Sequence, residues 1–140
     1  MFWRRRFYKS PISTVPAGEK RCLIRHKGKI NVRQFNLFYD GDNDTGTPNC
    51  ILTITIDGEQ ILNTPLVDIN FYYGGGTASY NLAAPVTIVE MNWTEKRYKY
   101  RFLDLGTVKE NIEIWFENVD TSNSAKVYSA IIYDVYEEGK

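Results

Sequence analysis

The chain has 140 residues, 43% of them hydrophobic and 24% charged, with zero formal net charge. That length fits one domain with a substantial core, and that balance excludes a globally disordered polypeptide. No apolar run approaches the roughly 20 residues of a membrane helix, so no membrane span is expected.

Charge is unevenly placed. Residues 1–33 carry ten Lys and Arg against one acid, Glu19, while the remainder carries seven against sixteen. A basic leading third followed by an acidic body points to a partner that is itself acidic, either nucleic acid, a membrane surface or a neighbouring copy. The 10 Tyr, 7 Phe and 3 Trp suit half-buried strands and interfaces, where a ring packs while its polar end stays wet.

Residues 1–18 read as an extended arm, and residues 19–140 as the folded domain. Pro11 and Pro16 exclude a helix, and Pro16-Ala17-Gly18 closes the arm with a turn. Within it, Phe2, Trp3, Phe7 and Tyr8 are interleaved with Arg4, Arg5, Arg6 and Lys9. Rings beside arginines mark protein interfaces, and these eight residues are the candidate partner-binding set. The same mix suits phosphate neutralisation with base stacking, so nucleic acid is kept as the second choice of partner. No apolar stretch follows Met1–Ser10, so the sequence reads as lacking a secretory signal.

After the arm, side chains alternate with a period of two to the end. Residues 20–26 set Cys22, Ile24 and His26 against Leu23 and Arg25. Residues 30–39 place Ile30 and Val32 inward and then Phe35, Leu37 and Tyr39, a slip of phase that predicts a β-bulge near Arg33 or Gln34. Residues 50–56 put Leu52, Ile54 and Ile56 on one face, and Asp57-Gly58 signals a hairpin returning through Gln60–Asn63. Residues 65–71 read as a short strand. Val86–Trp93, Arg97–Leu103, Asn111–Asn118 and Ala125–Tyr136 follow. Their inward sets are Tyr98, Tyr100 and Phe102, then Ile112, Ile114 and Phe116, then Val127, Ile131, Tyr133 and Val135. No apolar stripe holds helical spacing beyond two turns. The pattern predicts an all-β, single antiparallel β-sandwich or jelly roll of about eight strands.

Chemistry-bearing residues are few. Asp40, Asp42 and Asp44 place carboxylates at alternate positions, as at the start of a calcium loop. Thr45 stands where the sharp-turn glycine belongs, however, and Ile51 where the bidentate glutamate belongs, so the plain reading is a polar loop. His26 is the sole histidine and lies between Arg25 and Lys27, which reads as a surface position. Cys22 and Cys50 read as small hydrophobes rather than a redox or zinc pair. Glu90, Glu113 and Glu117 are strand carboxylates, but nothing in their spacing sets two of them at glycosidase distance. No catalytic residues and no cofactor are assigned. Trp93, Trp115 and the tyrosines leave open a sugar-stacking platform.

The basic arm Met1–Gly18, the unbroken strand pattern of residues 20–136 and the lack of a catalytic set together resemble small virion proteins of phages and viruses, among them capsid jelly rolls, head-decoration proteins and fibre sandwiches. The resemblance implies a structural protein of a virion, made in the host cytoplasm. Such a protein docks to copies of itself or to other structural proteins of the same particle. On that view the arm of one copy lies on the acidic body of the next, and deleting residues 1–10 leaves a folded, less associated protein. The alternative is a carbohydrate- or receptor-binding sandwich module.

Overall fold

The computed structural model describes residues 2–41, 50–72, 76–77, 86–92 and 97–137. In chain order the elements are β1 (Phe2–Lys9), β2 (Ser13–Val15), β3 (Lys20–Lys27), β4 (Ile30–Gly41), β5 (Ile51–Ile56), β6 (Glu59–Pro65), α1 (Leu66–Tyr72), β7 (Gly76–Thr77), β8 (Val86–Asn92), β9 (Arg97–Val108), β10 (Asn111–Glu117) and β11 (Ala125–Glu137). The larger sheet runs β1-β11-β4-β9-β8-β7, with β2 also on β11, and the smaller runs β3-β10-β5-β6. All pairings are antiparallel except β7 with β8.

The winding explains this order. β1 pairs with β11, β3 with β10, β4 with β9 and β5 with β6, so early strands meet late ones in nested pairs. Successive nested pairs alternate between the two sheets. The result is a jelly roll, with β8 and β7 added beyond β9.

The core lies between the sheets and follows the period-two pattern. Phe35, Leu37 and Tyr39 on β4 meet Tyr98, Tyr100 and Phe102 on β9, and Leu52 and Ile54 on β5 meet Ile112, Ile114 and Phe116 on β10, all buried. The predicted bulge is present: in the β4–β11 register Gln34 pairs with Ile132 and Val32 with Tyr133, leaving Arg33 as the extra residue. The Asp57-Gly58 hairpin is also present, with both residues at positive φ (52° and 80°), as a type I′ turn requires.

Three expectations are corrected. Residues 65–71 are not a strand: β6 ends at Pro65 and Leu66–Tyr72 is helical, because Leu66 and Ile69, three apart, both reach the core. In β3 a second bulge, opposite the Ile114/Trp115 step, turns both Leu23 and Ile24 inward and leaves Cys22 beside Trp115, half-exposed. The leading segment is the largest difference. Residues 2–9 do not form a detached arm. They are the first strand of the roll, paired along their whole length with β11.

Candidate interaction surface

The register of β1 fixes which of its groups are used and which face outward. Phe2 to Lys9 pair with Glu137 to Ala130, and the next residue, Ser10, donates its backbone N–H to the Ser129 carbonyl at 2.8 Å. Hydrogen-bonded pairs alternate along an antiparallel ladder. The main-chain groups of Arg4, Arg6, Tyr8 and Ser10 therefore point at β11, and those of Trp3, Arg5, Phe7 and Lys9 point away from the sheet. β1 is the outermost strand, and among the described residues no segment pairs with its outer side.

Side chains of β1 divide between the two faces in the same alternation. On the outer face Arg5 stands opposite Asp134, with Nε donating to Oδ1 at 2.8 Å, and Arg33 Nε donates to the other carboxylate oxygen at 2.6 Å. The Asp134 side chain is 6% exposed, and bonding to Arg5 and then Arg33 pulls its pKa down to about 2. The bulge makes this triad possible, since it frees Arg33 from the ladder to reach β11. Trp3 packs edge-on against Tyr136, ring centroids 5.0 Å apart, and Lys29 Nζ lies 4.5 Å from the centre of the same tyrosine ring. Farther along, Phe7 is 75% exposed and Ile12 67%.

Phe2, Arg4, Arg6 and Tyr8 share the inner face, in register with Glu137, Val135, Tyr133 and Ile131 of β11. Arg4 lies over the Phe2 ring at 5.3 Å. Tyr8 lines a cleft of about 210 Å³ with Ile24, Arg25 and His26 of β3 and with Ile131 and Tyr133 of β11. The cleft shows where the basic third of the chain is gathered. β1 is one edge of the larger sheet, and β3 is the edge of the smaller sheet on the same side. Arg4, Arg5, Arg6 and Lys9 on one lip and Lys20, Arg21, Arg25 and Lys27 on the other give that rim of the sandwich its charge. His26 is half-buried within the cleft, its ring 5.4 Å from Tyr133, rather than a plain surface residue.

A second hollow, of about 240 Å³, lies on the outer face of the smaller sheet. Trp115 forms one wall, with Thr53, Gln60, Asn63, Lys20 and Glu117 around it. The amides and hydroxyl hold one another only loosely, with Thr53 to Asn63 and Asn63 to Gln60 each at 3.4 Å.

The other sequence candidates are dispersed. Asp40, exposed, ends β4 in register with Lys126 and Arg97, while Asp42 and Asp44 lie outside the described residues, as does Trp93. Among the described residues no three His, Cys, Asp or Glu side chains gather as a metal set. Glu90 sits in the larger sheet near Lys99 and Arg97, and Glu113 on the smaller sheet accepts from Arg25 Nε at 2.8 Å. Glu113 and Glu117 are four residues apart on one strand, roughly 13 Å at the strand rise, beyond the span of a glycosidase pair. Cys22 and Cys50 are free thiols, and Cys50 donates to the Tyr39 hydroxyl at 3.2 Å in the core.

Sequence reasoning singled out the eight residues of β1 as candidates but not three features beside them: Arg33 with Asp134, the exposed Ile12, and β3 as the facing lip. One signal was present. Asp134 is the lone acid between Ala125 and Tyr136, in a strand otherwise of apolar, aromatic and small residues plus Lys126.

These features define an all-β jelly roll whose β1 edge is basic and aromatic and has no pairing partner on its outer side among the described residues. Its fold is similar to part of dimeric latent PorU from Porphyromonas gingivalis, with a TM-score of 0.51, 7% identity, and coverage of 96% of this chain and 13% of that one. At that identity the likeness concerns the fold alone, and this chain spans a small fraction of the other's length. No protein-family model and no curated protein matches the sequence.

Proposed function

We propose that this protein is a structural building block that docks into a larger assembly through the free edge of β1. The observation that carries the reading is the outward main chain of Trp3, Arg5, Phe7 and Lys9 on a strand whose outer side has no partner among the described residues, with Phe7 and Ile12 exposed beside it. Soluble proteins commonly shield such an edge with proline, a bulge or inward charge, or cover it. β1 contains no proline and its register with β11 has no bulge. Its arginines are the one guard it has, and they repel other edges of like charge. A virion is the setting implied by the resemblance noted from the sequence, and the assembly reading does not depend on it.

Sedimentation velocity tests the reading on the full chain at rising concentration. Larger species are expected for the unmodified protein and their loss for the Phe7→Ala, Ile12→Ala double variant, whose folded spectrum should be unchanged because both side chains lie outside the core. Equal assembly by the variant contradicts the proposal, and a monomer at every concentration restricts docking at β1 to a chain other than a copy of this one.

The Trp115 hollow favours a second reading, a carbohydrate-binding module. A flat indole suits the apolar face of a sugar ring, and surrounding amides and hydroxyls with unspent bonding capacity suit its hydroxyl groups. A glycan array separates the two readings: hits abolished by Trp115→Ala support the module, and an array without hits removes it.

A further inference from the structure

We infer that the occupant of the β1 edge is an extended acidic segment of a partner chain, added as a further strand, with carboxylates alternating with apolar residues. The inference rests on docking at β1 proposed above and names the chemistry of what docks there.

The case against β1 pairing with itself is geometric. Two copies joined by a two-fold axis through the shared edge bring residues of like parity opposite one another on the same face. The two registers of greatest overlap centre on Arg5 or on Arg6. The first sets Arg5 against Arg5 and Arg4 against Arg6, and the second sets Arg6 against Arg6. Like charges directly opposite destabilise a strand pair. β1 carries four cations and no acid, and Asp134 answers Arg5 from within the sheet. The mismatch therefore recurs in each of these registers.

An acidic strand meets the same surface without conflict. Its main chain bonds the outward groups of Trp3, Arg5, Phe7 and Lys9. Side chains at every second position fall on the inner face beside Arg4 and Arg6, where carboxylates are favoured. The intervening positions fall on the outer face beside Trp3 and Phe7, where apolar groups are favoured. Arg25 of β3, which also holds Glu113, lines the cleft beside Tyr8, and the cations of β3 add to those of β1 along this rim, a charge that favours an anionic segment. A nucleic acid strand shares the charge complementarity and can stack on Phe7, but its phosphates only accept hydrogen bonds and do not repeat the alternating donors and acceptors of a strand edge, and Ile12 offers it no stacking face.

The test uses the full-length protein and a labelled, end-blocked eight-residue peptide of alternating Glu and Val, followed by fluorescence anisotropy. A Lys and Val peptide and a single-stranded oligo-thymidine serve as comparison probes. Binding of the Glu and Val peptide is expected, none of the Lys and Val peptide, and at least a tenfold loss in Phe7→Pro. That substitution removes an outward N–H and no bond to β11. The Arg4→Ser, Arg6→Ser double variant, with both changes outside the core, is expected to lose affinity to a similar degree and provides a comparison independent of proline. Equal binding by both variants, or tighter binding of oligo-thymidine than of the peptide, overturns the inference. Failure of the peptide to bind a protein whose assembly the Phe7→Ala, Ile12→Ala variant does abolish removes the acidic occupant and leaves docking at β1 standing. An unaltered assembly in that variant removes both.

Discussion

Asp134 of β11 and Arg5 of β1 stand directly opposite one another in the register, 2.8 Å between carboxylate and guanidinium, and this pair makes the leading segment part of the body. Lowering of the Asp134 pKa to about 2 from an ordinary 3.8 carries a consequence for acid stability. A folded-state pKa below the unfolded one contributes stability in full above the unfolded value, and that stability is lost as pH falls through the folded value. Melting temperature should fall between about pH 4 and pH 2 through this group. In Asp134→Asn that part of the dependence should vanish, at a cost near neutrality of about 1–2 kcal/mol, since Arg5 and Arg33 are half-exposed and regain water. Thermal melts of both proteins across that range check it.

Removing residues 1–10 should not yield a folded, less associated protein. The deletion strips the first strand of the roll, bares the β11 edge and leaves Asp134 without Arg5. The expected outcome is a large drop in melting temperature with aggregation, measured by circular dichroism and light scattering. A truncated protein as stable as the whole chain would show that β1 adds nothing to the body.

Asp57 ties two turns together. Its carboxylate accepts the backbone N–H groups of Lys109, Glu110 and Asn111 at 3.0, 2.7 and 3.1 Å, which holds its pKa below the usual range. The residue also sits at φ 52°, a region aspartate and asparagine tolerate better than most. Asp57→Ala should therefore lower the melting temperature more than Asp57→Asn, which keeps both the acceptor and the backbone preference. Equal losses would assign the effect to the side-chain charge alone.

Tyr100 is the converse case. Its hydroxyl is buried with no partner among the described residues, and burial pushes its pKa far above the ordinary value. Tyr100→Phe removes a polar atom that gains nothing inside, so a stabilisation of about 1 kcal/mol is expected, a rise of several degrees in melting temperature. A destabilised variant would show that the hydroxyl has a partner in solution.

Much of the fold was legible because one face of each strand is buried. A period of two in Leu52-Thr53-Ile54-Thr55-Ile56 or Tyr98-Lys99-Tyr100-Arg101-Phe102 has one reading when a core must form, and Asp57-Gly58 fixes its own turn. The slip between Val32 and Phe35 announced its bulge for the same reason. The helix at Leu66–Tyr72 was not legible, because two buried positions three apart within seven residues are too few to outweigh strand-like composition. The nature of the leading segment was missed on different grounds. Its side chains are polar or exposed on both faces, so period and burial carry no signal, and its place depends on main-chain bonds to a strand more than a hundred residues away. The rim formed by β1 and β3 was likewise hidden, since charge asymmetry along the chain does not say which strands the winding brings to one side.

Amide hydrogen exchange along β1, resolved residue by residue in the dilute protein, tests the open edge most directly. Slow exchange is expected at Arg4, Arg6, Tyr8 and Ser10, whose N–H groups bond to β11, and fast exchange at Trp3, Arg5, Phe7 and Lys9, which face outward. Fast exchange at all eight would mean a leader detached from the sheet, and slow exchange at all eight would mean an edge already covered.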